Sequence, residues 1–283
     1  MTGKTQTLLN RLIRSVPEGL LVDSAWLNKH GYSMQLRHHY VSAGWLEQPA
    51  HGVFRRPGGK LTWQQVMLSL QNLIDVSPLI VGGRTALELQ GYAHYLRFGT
   101  FPTIHLFGPK PPPAWLDKLK LDAHFVFHKD SRLFRNDPHH SGISNLNWNL
   151  RTGDVTDLTT LKGGPPPELG AWDWPLTLST AERAILELLD ELPKRESFDE
   201  VDALFDGLSN LRPTRLQKLL KDCHSVKVKR LFFFFADRHN HAWRKQVDPA
   251  AFDLGSGKRH LVEGGVLDPA YQITVPGELN GLR

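Results

Sequence analysis

A chain of 283 residues with 40% apolar and 22% charged positions can bury a sizeable core, which excludes a disordered or low-complexity polypeptide. The opening MTGKTQTLLNRLIR has no apolar stretch behind its charges, and no apolar run reaches membrane-spanning length, so the expectation is a cytoplasmic protein without a membrane partner. The formal charge of +5 is concentrated, because residues 1–60 carry eight Lys or Arg against three Asp or Glu while the remainder carries 26 of each sign. A basic module on a neutral body is what phosphate-backbone binding requires, and a solvated basic surface without a partner is the competing reading.

Leu9, Leu12, Ile13 and Val16 recur at helical spacing and predict a first helix ended by Pro17-Glu18-Gly19. Asp23 suits the N-cap of a second, short helix carrying Ala25, Trp26 and Leu27, and Gly31 suits its left-handed terminator. Ser33 caps a third helix in which Leu36, Tyr40 and Ala43 face inward while Met34, Gln35, Arg37, His38 and Ser42 face outward. Helix, glycine turn and helix, with Gln35 and Arg37 early in the second member, is the arrangement that presents a recognition helix to base edges in the major groove. Trp45–Gln48 and Gly52–Arg55 then predict a hairpin, placing Arg55 and Arg56 as a wing on the flanking phosphates. Ser33, Gln35, Arg37, His38, Arg55 and Arg56 are thus the candidate DNA-binding residues. A helical cap with a merely hydrated polar face satisfies the same pattern.

Pro57-Gly58-Gly59 reads as a linker, dividing the chain into a 1–59 DNA-binding domain and a larger 60–283 domain of mixed α/β character, an α+β protein as a whole. Leu61–Ile74 predicts a helix, Leu79-Ile80-Val81 a strand, Thr85–Gln90 a helix stopped by Gly91, and Thr103–Phe107 and His124–Phe127 two strands. Pro111-Pro112-Pro113 suggests the start of a helix with Trp115 and Leu119, and residues 135–175 read as mostly irregular apart from a strand at Asn145–Asn149. Ser179 and Glu182 predict a capping box ahead of Ile185, Leu188 and Leu189. In the helix opened by Pro213, the single cysteine, Cys223, shares the apolar face of Leu216, Leu219 and Leu220, which predicts a buried thiol. Val228, Leu231, Phe232 and Phe235 predict a further, deeply buried helix, and the chain ends in a predicted hairpin around Gly264-Gly265.

Arg215, Lys218, Lys221, Lys227, Arg230, Lys258 and Arg259 form a candidate second basic surface, for DNA or for a protein partner. Mutual neutralisation with the acidic Glu182–Asp206 segment is the alternative. Gly255-Ser256-Gly257-Lys258 fails as a phosphate loop of Walker type, since Phe252 stands where the first glycine belongs and Arg259 where Ser or Thr belongs. Gly82-Gly83-Arg84 reads as a tight turn more readily than as an anion site. Adjacent His38 and His39, and His239-Asn240-His241, have spacing unsuited to one metal. No catalytic constellation, cofactor or metal is expected from these patterns.

Three ordered groups of residues carry a resemblance. They are Leu27-Asn28-Lys29-His30-Gly31, Tyr40–Leu46 and Gly52–Pro57; then Gly83–Gly91; then Ser179–Leu189, Ser225–Phe232, Leu254–Arg259 and Gly264-Gly265. Together they resemble the AbiEi family of type IV antitoxins over nearly the full length. The resemblance implies an N-terminal winged helix-turn-helix that represses its own operon on operator repeats, and a C-terminal domain that counters a nucleotidyltransferase-like toxin, with or without contact. It further implies a monomer in solution, cooperative on repeated DNA sites. An enzyme of kinase-like or nucleotide-acting type, modifying the toxin or reversing its product, is the alternative.

Overall fold

A computed structural model describes residues 3–76, 78–92, 101–157 and 172–279. Helix α1 (Gly3–Ser15) turns Leu9 and Leu12 inward, and strand β1 (Leu21–Asp23) follows. Asp23 then caps α2 (Ser24–Lys29), its carboxylate accepting from the Trp26 N–H at 2.7 Å. Gly31 adopts φ +85°, a conformation that favours glycine, and so redirects the chain into α3 (Met34–Ser42), capped by Ser33. Strands β2 (Glu47–Ala50) and β3 (Val53–Arg55) close a three-stranded antiparallel sheet in the order β1-β3-β2. Helix, strand, two helices and two strands is the winged helix-turn-helix order. Strand β1 escaped the sequence reading because three residues are too few to show a period of two.

Helix α4 (Trp63–Asn72) begins with a complete capping box between Thr62 and Gln65. It touches both halves of the molecule. Its Ser69 hydroxyl, fully buried, accepts from the Leu21 N–H of β1 at 2.8 Å. Two residues on, the Gln71 amide donates to Leu79 O and Thr177 O and accepts from Thr177 N–H, while Asn72 donates to Pro175 O. Gly58, in the predicted linker, leaves no room for a side chain, since a Cβ there would lie 2.5 Å from the backbone nitrogen of Gly19.

The larger half is built on a six-stranded sheet of order β6-β5-β4-β9-β7-β8. Its strands are β4 (Ile80–Gly82), β5 (Thr103–Gly108), β6 (His124–Lys129), β7 (Ile143–Asn149), β8 (Val155–Asp157) and β9 (Asp173–Ser179). β5 pairs parallel with β6 and β4 parallel with β9, and the remaining pairs are antiparallel. Helices α5 (Gly83–Leu89) and α6 (Ala181–Glu191) pack together beside β4, and α7 (Phe198–Gly207), α8 (Pro213–Asp222) and α9 (Val226–His239) complete the helical layer. All four phenylalanines 232–235 are buried in α9, as is Cys223 after α8. Strands β10 (Val266–Asp268) and β11 (Ile273–Val275) form the terminal hairpin.

Three local expectations are corrected. Residues 135–175 are less irregular than expected, because besides the expected strand at Asn145–Asn149, which is β7, they hold β8 and the start of β9, while residues 158–171 lie outside those described. The prolines 111–113 lead into a single 3-10 turn at Leu116–Lys118 rather than a helix. The capping box at Ser179 and Glu182 does not form. Thr180 is the N-cap; the Ser179 hydroxyl donates instead to Glu187, and Glu182 accepts from the Arg212 N–H and from Arg215. Buried partners from distant elements outcompete the local cap.

Candidate nucleic-acid interface

Helix α3 is fixed from beneath by Tyr40, which is fully buried with its ring 6.5 Å from that of Tyr32. Trp26 stacks on His30 at 3.7 Å and stiffens the turn between α2 and α3. Met34, Gln35, His38, His39 and Ser42 are left exposed, with Met34 at 61%. Ser33 spends its hydroxyl on the Leu36 N–H, whereas the side chains of Gln35 and His38 have no hydrogen-bond partner among the described residues. At the tip of the wing His51 is exposed, and Gly52 turns at φ +74°. The outer face of α3 therefore presents Met34 among polar and imidazole side chains, with neither arginine nor lysine.

The arginines do not stand where the sequence pattern places them. Arg37 is 8% exposed; its guanidinium donates to Asn28 Oδ1 at 2.9 Å and lies over the Phe54 ring at 5.9 Å. The inward stripe of α3 is Leu36, Arg37 and Tyr40, with Ala43 exposed, because the long stem of Arg37 fills the gap against β3 while its head finds a hydrogen-bond acceptor. Arg55 is equally buried, donating to Glu47 across the wing at 2.6 Å and to the Gly59 carbonyl. Arg56 reaches back to the end of α1, where it donates to the carbonyls of Ile13 and Val16 at 3.1 Å each and pairs with Glu18. These three side chains hold the winged domain together. Arg14 and Lys29 are the exposed cations without a partner among its described side chains, and composition alone gives no sign of which charges are consumed.

The second basic surface also divides. Lys227 caps the end of α6 by donating to the carbonyls of Asp190 and Leu192, and buried Arg230 donates to the carbonyls of Leu254, Gly257 and Gln272. Both leave the predicted surface, because unpaired carbonyls at a helix end and in a glycine turn are better acceptors than water is a solvent for a half-buried head group. Arg215 pairs with Glu182 at 3.1 Å, as neutralisation requires. Lys218 and Lys221 are exposed and without partners among the described residues, and Lys218 borders a groove of about 460 Å³ with Arg212, Thr214 and His140. Lys258 and Arg259 are exposed beside the terminal hairpin, where Arg259 pairs by backbone with β11.

Both glycine-rich turns are filled from within. The Glu187 carboxylate accepts from the Gly83 N–H at 3.0 Å, so it occupies the place an anion would take, and a Cβ at Gly82 would fall 2.3 Å from it. Arg84 is held by Glu196 and Glu200. In the second turn the Gly257 carbonyl, with that of Leu254 just before it, accepts from Arg230.

No curated protein matches this chain. The crystal structure of the RV2827C protein from Mycobacterium tuberculosis matches in fold, with a TM-score of 0.56 over 95% of this chain and 90% of that one at 16% identity. Residues 5–98 match a family model described as the N-terminal domain of the AbiEi antitoxin, a transcriptional regulator. Residues 167–276 match a second, described as transcriptional regulator, AbiEi antitoxin, of a type IV toxin–antitoxin system. With a winged helix-turn-helix at one end and both family regions in order, the chain belongs to the AbiEi family of type IV antitoxin transcriptional regulators.

Proposed function

We propose that the chain represses transcription of its own operon by laying α3 in the major groove of repeated operator sites. The observation that carries this reading is the outer face of α3, exposed and unpaired at Gln35 and His38, in a fold whose third helix enters DNA. Gln35 is suited to a bidentate contact with adenine, the histidines to acceptor atoms of purines, and Met34 to a thymine methyl group. Lys29 and the wing tip at His51 are suited to flanking phosphates. Gel-shift titration of the full chain on DNA from its own promoter tests this, with preference over random DNA expected and equal affinity for both counting against it.

The C-terminal half is proposed to counter a nucleotidyltransferase-like toxin through the exposed Lys218 and Lys221. Two neighbouring cations with no partner among the described residues suit an acidic protein patch or nucleic acid. Reversing both to Glu, with growth rescue and operator binding measured in parallel, separates the possibilities. Loss of rescue alone assigns the surface to the toxin, loss of binding alone to DNA, and loss of neither removes the surface from the account.

A further inference from the structure

Burying two histidines and a glutamate together is costly unless each has a partner, and the described structure gathers one such group away from the DNA-reading face. His105 lies on β5, His128 on the neighbouring edge strand β6, and Glu191 ends α6 above them. They are 3%, 6% and 6% exposed. His105 Nδ1 faces His128 Nε2 at 2.9 Å, and Glu191 Oε1 lies 3.6 Å from His128 Nδ1. One ligand-capable atom from each residue falls within 4.8 Å of the other two. We infer that His105, His128 and Glu191 form a binding site for a divalent transition-metal ion of the zinc class, which clamps the β5–β6 edge of the sheet to the end of α6.

Three features favour an ion over a bare hydrogen-bond chain. Two imidazoles and one carboxylate are a donor set that zinc-class ions take, with a fourth tetrahedral position left for water. Between the two rings the spacing is nearly right, since two ring nitrogens on one tetrahedral ion lie about 3.3 Å apart, a few tenths beyond the present separation; Glu191 Oε1 now faces the other ring nitrogen of His128 and has to turn to reach the ion. The surroundings also fit. Phe107 stacks on His128 at 4.8 Å and supplies an apolar wall, while Arg195 holds Glu191 Oε2 at 2.8 Å and leaves Oε1 turned toward the histidines. The spacing rules that set aside the histidine pairs near one another in sequence do not reach residues assembled from three distant elements.

The test uses the full chain, stripped with a chelator, desalted and titrated with Co²⁺ and with Zn²⁺. The expected result is one ion per chain, the visible d–d absorption of tetrahedral Co²⁺, its displacement by Zn²⁺, and a raised melting temperature. His105→Gln and Glu191→Gln should each weaken the ion at least tenfold. X-ray absorption on the zinc form of the unmutated protein covers the case in which a variant fails to fold, and two imidazole nitrogens are expected in its first shell. No stoichiometric binding, a first shell without imidazole, or undiminished affinity in folded His105→Gln overturns the assignment.

Discussion

Arg56 illustrates how a charge near a DNA-reading helix is spent. Its two hydrogen bonds to the Ile13 and Val16 carbonyls satisfy acceptors that the end of α1 leaves open. Arg56→Ala should therefore lower the unfolding free energy by about 1–2 kcal/mol, read from the urea midpoint, while the salt dependence of DNA binding stays unchanged. A phosphate-contacting arginine would do the reverse and flatten the salt slope by roughly one charge. Arg37→Ala should likewise act on stability, through Asn28 and Phe54, before it acts on base preference. Cys223 offers a second check. It is 2% exposed and burial pushes its thiol up to about 11, so a thiol reagent at pH 8 should label it only after denaturation. Rapid labelling of the folded chain would contradict the burial of Cys223 at the end of α8, where its backbone bridges to Phe134.

At the scale of elements, α6 is the buried polar spine of the larger half. The Arg183–Glu187 pair within it has no exposed side-chain surface on either partner, and Glu187 also receives the Ser179 hydroxyl and the Gly83 N–H. Removing one charge from such a pair strands the other. Glu187→Ala is expected to cost about 3–5 kcal/mol in chemical denaturation, and a loss below about 1 kcal/mol would mean the network relaxes freely.

The elements that were legible in the sequence are those whose signal is local. Asp23, Gly31 and Ser33 each act on backbone within three residues, and α1 and α9 display apolar residues at helical spacing, Leu9, Leu12 and Ile13 in one and Val228, Leu231, Phe232 and Phe235 in the other. In strand β9 Trp174, Leu176 and Leu178 alternate with Pro175 and Thr177, but a proline inside the run argues against a strand paired on both sides, and its place is set by pairing with β4 and β7 and by the side chain of Gln71. Similarly, nothing local to Arg37, Arg55, Lys227 or Arg230 reveals that a carbonyl or carboxylate from another element awaits each. The face of a helix can be read from periodicity, but the fate of a long cation on its edge depends on the tertiary neighbour.

For the whole molecule, α4 decides how separable the two halves are. A cut after residue 59 leaves the Leu21 N–H without its Ser69 acceptor and removes the Gln65 side chain that lies over Gly19. We expect residues 1–76 to melt cooperatively and 1–59 to show no cooperative transition by circular dichroism, since so small a unit is marginal without its last helix. Equal melting curves would move the boundary back to Pro57-Gly58-Gly59. The same helix grips Thr177 and Pro175 of the sheet through Gln71 and Asn72, so that the orientation of the winged domain on the body is hydrogen-bonded rather than tethered.

The central claim is that the outer face of α3, not the arginines around it, reads the operator. Fluorescence anisotropy of the full chain on promoter and random DNA over a range of salt, for wild type and for Gln35→Ala combined with His38→Ala, tests it most directly. The account predicts that the double variant keeps its random-DNA affinity and salt slope while losing promoter preference by about 1–3 kcal/mol for each contact. Undiminished promoter preference in the double variant would contradict it.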